Sequence, residues 1–118
     1  MRVDERLLKY VSYWTTSSED SDTIPSTDRQ FNLAKELEKE LLDLGLQKVT
    51  LTDHCYIYGL IPATPGYEDK KAVGFISHMD TAPALTGCNV KPQVVKNYDG
   101  HDICLNAEKQ ITMRISEF

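Results

Sequence analysis

Apolar residues Val3, Leu7, Leu8, Val11 and Trp14 fall on one stripe of a helix spanning roughly residues 3–15, with Asp4 and Glu5 in its first turn. From Thr15 to Pro25 the chain is almost entirely Ser, Thr, Asp and Glu, with Ile24 the one aliphatic residue, which predicts a polar loop. A second helix follows. Thr27 and Gln30 have the spacing of a capping box, with Ser26 as a rival cap. Phe31, Ala34, Leu37, Leu41 and Leu44 then recur at three- and four-residue intervals, and Gly45 stands where a left-handed cap belongs. Its outward face carries Lys35, Glu36, Lys39 and Glu40, an ordinary solvated surface.

The period then changes from helical to alternating. Val49–Thr52 and Tyr56–Ile61 read as paired strands flanking Asp53 and His54. Residues 62–71, with Pro65-Gly66 and four charges, read as an exposed loop. Ala72-Val73-Gly74-Phe75-Ile76 is nearly continuous in apolar character, as expected of a strand buried on both faces. It runs into Ser77-His78-Met79-Asp80. Residues 81–101 are loop-like, and Asp102–Leu105 and Ile111–Ile115 read as two further short strands. The expected fold class is α/β, with two helices packed on a mixed sheet as in an α/β sandwich.

The length of 118 residues suits one domain, 1–118. With 41% hydrophobic and 26% charged residues the chain can bury a core, so global disorder is not expected. A net charge of -5 and the lack of a basic cluster argue against a nucleic-acid partner. The apolar runs are too short for a membrane span, and the first residues lack the apolar region of a signal peptide. Three cysteines, Cys55, Cys88 and Cys104, with no C-x-x-C pair, fit reduced thiols in a cytoplasm better than a secreted disulfide framework.

The best candidate for chemistry is His78 with Asp80. Open α/β sheets place ligands beyond the carboxyl ends of their strands. Imidazole is a common metal ligand, and a zinc-bound His usually gives its other N–H to a carboxylate. An extended chain puts residues 78 and 80 on one side. Ordinary loop hydrogen bonds are the alternative that spacing leaves open. Ser77 cannot complete a triad with them, since it points to the opposite face. His54-Cys55 reads as a strand edge, and His101-Asp102 as a hydrated turn. Glu19, Asp20 and Asp22 lack the alternation and glycine of a calcium loop. Asp99 and Glu108 have no evident partner, and no glycine-rich phosphate loop is present.

Longer blocks carry more information than H-x-D. L-L-K-Y-V-S-Y-W-T-T-S-S, I-P-S-T-D-R-Q-F-N-L-A-K-E-L-E-K-E-L-L-D-L-G-L, V-T-L-T-D, G-L-I-P-A-T, V-G-F-I-S-H-M-D-T-A-P and G-C-N-V-K-P-Q-V-V-K-N-Y-D-G-H-D-I follow one another in order. In this order they resemble the N-terminal portion of the peptidase T family, aminotripeptidases among the co-catalytic zinc exopeptidases. The resemblance implies that His78 ligates one of two zinc ions and that Asp80, grouped with the catalytic residues, orients its ring. It also implies hydrolysis of the N-terminal peptide bond of a tripeptide by a zinc-activated water, with a Glu as general base.

The family's bridging Asp, consecutive Glu pair, further acidic ligand and second His find no match here, and the sequence contains no Glu-Glu. Zinc takes about four donors. The expectation is therefore an incomplete sheet, no separate dimerisation or lid domain, and no activity from these residues alone. The alternative is a non-catalytic, truncated relative that works as an oligomeric or partner-binding module, with self-association through an exposed sheet edge.

Overall fold

The computed structural model describes residues 1–117. Helix α1 spans Val3–Tyr10 and helix α2 spans Gln30–Asp43; strands β1 (Gln47–Leu51), β2 (Ile57–Leu60), β3 (Ile103–Asn106) and β4 (Ile111–Met113) follow, and a 3-10 turn covers Ile115–Glu117. The architecture is α/β with two small antiparallel sheets, β1–β2 and β3–β4, each of two strands.

The end of α2 follows from its sequence. Gly45 takes φ +82, the Gly45 N–H donates to Leu42 O at 2.9 Å, and the Leu46 N–H donates to Leu41 O at 3.1 Å. This paired pattern closes a helix on a left-handed residue, which glycine adopts without a Cβ penalty. The start differs from the capping box expected of Thr27 and Gln30. Arg29 is the N-cap and no side chain caps the helix. Thr27 and Gln30 do meet, but side chain to side chain: Gln30 Nε2 donates to Thr27 Oγ1 at 3.2 Å, while Thr27 Oγ1 donates to Thr16 O at 3.0 Å. The hydroxyl is spent on tying the preceding loop to the helix.

Helix α1 is shorter than its apolar stripe. The Ser12 hydroxyl donates to the Lys9 carbonyl at 2.6 Å, a local bond that competes with helix continuation. Val3 and Leu7 are exposed, so the stripe itself is not what docks α1. Polar pairs to α2 do that: Arg6 Nε lies 2.6 Å from Glu40 Oε1, Lys9 pairs with Glu36, and the Tyr10 hydroxyl donates to Glu40.

Burial first, and donation to Glu40 second, push the Tyr10 phenol up to about 12. Pairing with Lys9 holds the Glu36 carboxyl below its usual value, and Glu36 in turn raises the Lys9 ammonium. The raised Tyr10 phenol stabilises docking below pH 10, and its contribution disappears as pH rises toward about 12; the raised Lys9 ammonium acts in the same direction, its contribution lost only on the alkaline side. The lowered Glu36 contributes above its usual 4.5, and that contribution is lost as pH falls below it. Tyr10 ring resonances followed by NMR should therefore shift to those of an undocked helix in both directions. A Tyr10 that titrates near 10 with α1 still docked would contradict this.

Helix α2 lies on the β1–β2 hairpin and supplies most of the core. Leu33 is 5% exposed and Ala34 0%, and Cys55, at the hairpin tip, joins them. Register runs Gln47↔Leu60, Thr50↔Tyr58 and Leu51↔Ile57, with an irregularity between Gln47 and Thr50 where Lys48 takes φ 52. In the second hairpin Ile103 pairs Met113 and Cys104 pairs Thr112. The Asp102 carboxylate accepts the Ile115 N–H at 3.0 Å and closes that unit.

The apolar run 72–76 is not a buried strand. It forms no strand and pairs with neither sheet, and Phe75 is 95% and Ile76 101% exposed. A strand buried on both faces needs neighbours at its edges and layers above and below, and residues 1–117 provide none at this position. The consequence is visible in the whole chain. Its radius of gyration is 18.2 Å, against roughly 13.5 Å for a compact chain of this length. Its accessible surface is 9980 Å², against about 6,500 Å².

Candidate metal-ligand site

His78 and Asp80 lie just beyond the apolar run 72–76. Main-chain and side-chain oxygens of Asp80 converge on one imidazole nitrogen: His78 Nδ1 is 2.8 Å from Asp80 O and 3.1 Å from Asp80 Oδ1. Both partners are acceptors, so Nδ1 carries the proton. In the neutral ring Nε2 then keeps its lone pair, the state required of a metal ligand. The His78 side chain is 82% exposed and that of Asp80 39%.

Two contacts fix this otherwise irregular segment. Behind it, Met79 Sδ lies 3.9 Å from Sγ of the buried Cys55, whose thiol is pushed up by burial. Ahead of it, Thr81 forms a parallel bridge with Thr16, in which the Thr81 N–H donates to Thr15 O at 3.3 Å and the Ser17 N–H donates to Thr81 O at 3.0 Å. His78 and Asp80 stand at the edge of a cavity of about 1130 Å³ whose other walls include Leu37, Leu41, Ile57 and Phe75. The cavity is open where apolar side chains of α2 and the 72–76 run have nothing packed on them.

The other histidines do not join the pair. His54 sits at the β1–β2 turn with Nδ1 3.8 Å from Asp53 Oδ1, both exposed. His101 Nδ1 is 3.0 Å from Asp99 Oδ1, also at the surface, and this contact holds the Asp99 carboxyl below its usual range. Among the described residues no group of three or more His, Cys, Asp and Glu side chains could hold a metal ion. The donor set thus fits one imidazole ligand with an orienting carboxylate, and not a complete zinc site. No helix among the described residues is long and apolar enough to cross a membrane.

The threonine contacts carry no signal in the sequence. Thr15 and Thr16 sit in a stretch patterned as a polar loop, yet both are buried. Only the fold brings Thr16 to Thr81 and Gly87.

No family model matches the chain. Individual relatives do. Peptidase T of Caldanaerobacter subterraneus is 51% identical over 119 residues, covering 99% of this chain. Peptidase T of Clostridium acetobutylicum is 49% identical and that of Desulfitobacterium hafniense 48%, each over 98% of this chain. In each case the chain spans 28% of the relative's length. Along nearly its whole length, then, the chain is similar to a stretch of peptidase T, as its ordered blocks indicate.

Proposed function

We propose that these residues supply part of the catalytic unit of a peptidase T-like zinc aminotripeptidase, working in the cytoplasm. His78 serves as one metal ligand through Nε2, and Asp80 orients the ring. The remaining donors and the general base come from outside these 118 residues. The observation that carries the reading is the double acceptance of His78 Nδ1–H by Asp80, at the edge of an open cavity, in a chain similar to peptidase T. Bound zinc would supply Lewis acidity toward a peptide carbonyl and an acidified water. Before any metal arrives, Asp80 fixes the tautomer and aim of His78, which reduces the ordering needed on ligation.

A polypeptide of these 118 residues, assayed with excess zinc and a tripeptide, should show no hydrolysis above buffer. Chelator-sensitive hydrolysis that disappears with His78→Ala would overturn the division of the site between these residues and others.

The exposed Phe75 and Ile76 favour a second reading, in which the same 118-residue polypeptide associates with itself or a partner through this run. Sedimentation with and without zinc decides it, and a monomer in both conditions counts against association.

A further inference from the structure

Thr16 is buried, at 7% exposure, and both its hydroxyl and its carbonyl are engaged. Its hydroxyl accepts the Gly87 N–H at 3.1 Å and shares a hydrogen bond with the Thr81 hydroxyl at 3.1 Å. Its carbonyl accepts Thr27 Oγ1 at 3.0 Å and Arg29 Nε at 2.9 Å. The Arg29 guanidinium in turn lies 3.9 Å over the Trp14 ring. Thr16 therefore ties the lead-in of α2 on one side to Thr81 and Gly87 on the other.

The link to the candidate site is a single peptide group. The Asp80–Thr81 peptide offers its carbonyl to His78 Nδ1 at 2.8 Å and its N–H to Thr15 O at 3.3 Å. Rotating that peptide would break both bonds together. Bonds that share one peptide also polarise each other. Gly87 closes the arrangement from the far side. A Cβ there would stand 2.7 Å from Thr16 Oγ1 and 3.0 Å from Thr81 Oγ1, so only glycine allows this approach. Residues 72–80 have no helix or strand of their own to hold them.

We propose that Thr16 is a positioning residue for His78 and Asp80, acting through its hydroxyl on Thr81 and Gly87. The proposal rests on His78 and Asp80 being the working pair. Its test is made on metal-free protein, so failure of zinc ligation and failure of this link give different results.

The experiment is amide hydrogen exchange by NMR on the 118-residue chain carrying Thr16→Val, Thr16→Ser or Gly87→Ala. The ¹⁵N shifts of the His78 ring are recorded alongside. Thr16→Val is near in shape but leaves the Gly87 N–H and the Thr81 hydroxyl without their partner. It should speed Thr81 exchange by about tenfold or more, while α2 amides stay within about twofold. The His78 nitrogens should move toward the shifts of an unrestrained ring. Gly87→Ala should do the same by displacing both hydroxyls. Thr16→Ser keeps the hydroxyl and should restore Thr81 exchange and the His78 shifts to near the parent values.

Unchanged Thr81 exchange and His78 shifts in Thr16→Val would overturn the proposal. So would a Thr16→Ser variant as impaired as Thr16→Val. Equal loss of protection in α2 would show a general loosening and overturn it as well.

Discussion

Grafted in place of the matching stretch of the Caldanaerobacter subterraneus peptidase T, this chain should support tripeptide hydrolysis, and His78→Ala in the graft should lower kcat/KM by at least ~10³-fold. The size follows from what one ligand does. Removing a donor from a four-coordinate ion weakens binding and leaves the remaining geometry unfixed, and both act on the step where charge develops. Asp80→Asn is milder. It keeps an acceptor oxygen near Nδ1 but removes the carboxylate charge that raises the ring's basicity, so a loss of roughly 10–100-fold is expected. The main-chain Asp80 carbonyl, 2.8 Å from Nδ1, still restrains the ring in that variant. Steady-state kinetics on the graft and its two variants check both numbers. A His78→Ala graft as active as its parent would remove His78 from the reaction.

Leu33→Ala should abolish cooperative folding of the 118-residue polypeptide. Large-to-small changes at buried leucines cost about 2–5 kcal/mol, against about 5–15 kcal/mol of total stability in ordinary domains. Few such side chains are buried here: Leu33, Ala34 and Cys55 make up the apolar core among the described residues. The total therefore sits at the low end, and one lost leucine removes a large share of it. Helix α2 packs on both strands of the β1–β2 hairpin, with Leu41 against Gly59, so helix and hairpin should come apart together. Leu42→Ala, on a residue 57% exposed, is the control and should change stability by less than about 0.5 kcal/mol. Urea denaturation followed by far-UV circular dichroism distinguishes the two. Equal midpoints for Leu33→Ala and the parent chain would contradict the core described above.

What the sequence made legible was mainly local. The apolar period of α2, the Gly45 cap, the β1–β2 hairpin and the two later short strands are set by residues within a few positions of one another. Even there, competition altered details. Thr27 was engaged by Thr16 and did not cap α2, and the Ser12–Lys9 bond cut α1 short of its stripe. The apolar run 72–76 misled for a different reason. Continuous hydrophobicity states that a segment is compatible with burial, and whether it is buried depends on what packs against it. No layer among residues 1–117 covers Phe75 and Ile76.

The candidate site divides along the same line. His78 and Asp80 are two residues apart, so their meeting could be read from spacing. The anchoring of that pair could not. Thr16 and Thr81 are 65 positions apart and chemically commonplace, and Thr16 lies in a stretch whose composition signals a solvated loop. Polar residues recruited to hold a loop in place have no periodicity to betray them. The same applies to the Cys55–Met79 contact, which joins a hairpin tip to the middle of the H-x-D segment.

The central claim is that His78 is a zinc ligand whose partners lie outside these residues. Elemental analysis of zinc bound to the graft, with and without His78→Ala, tests it most directly. About two zinc ions per chain are expected in the graft, with a clear drop in His78→Ala and an unchanged fold. The same zinc content in both proteins would contradict it.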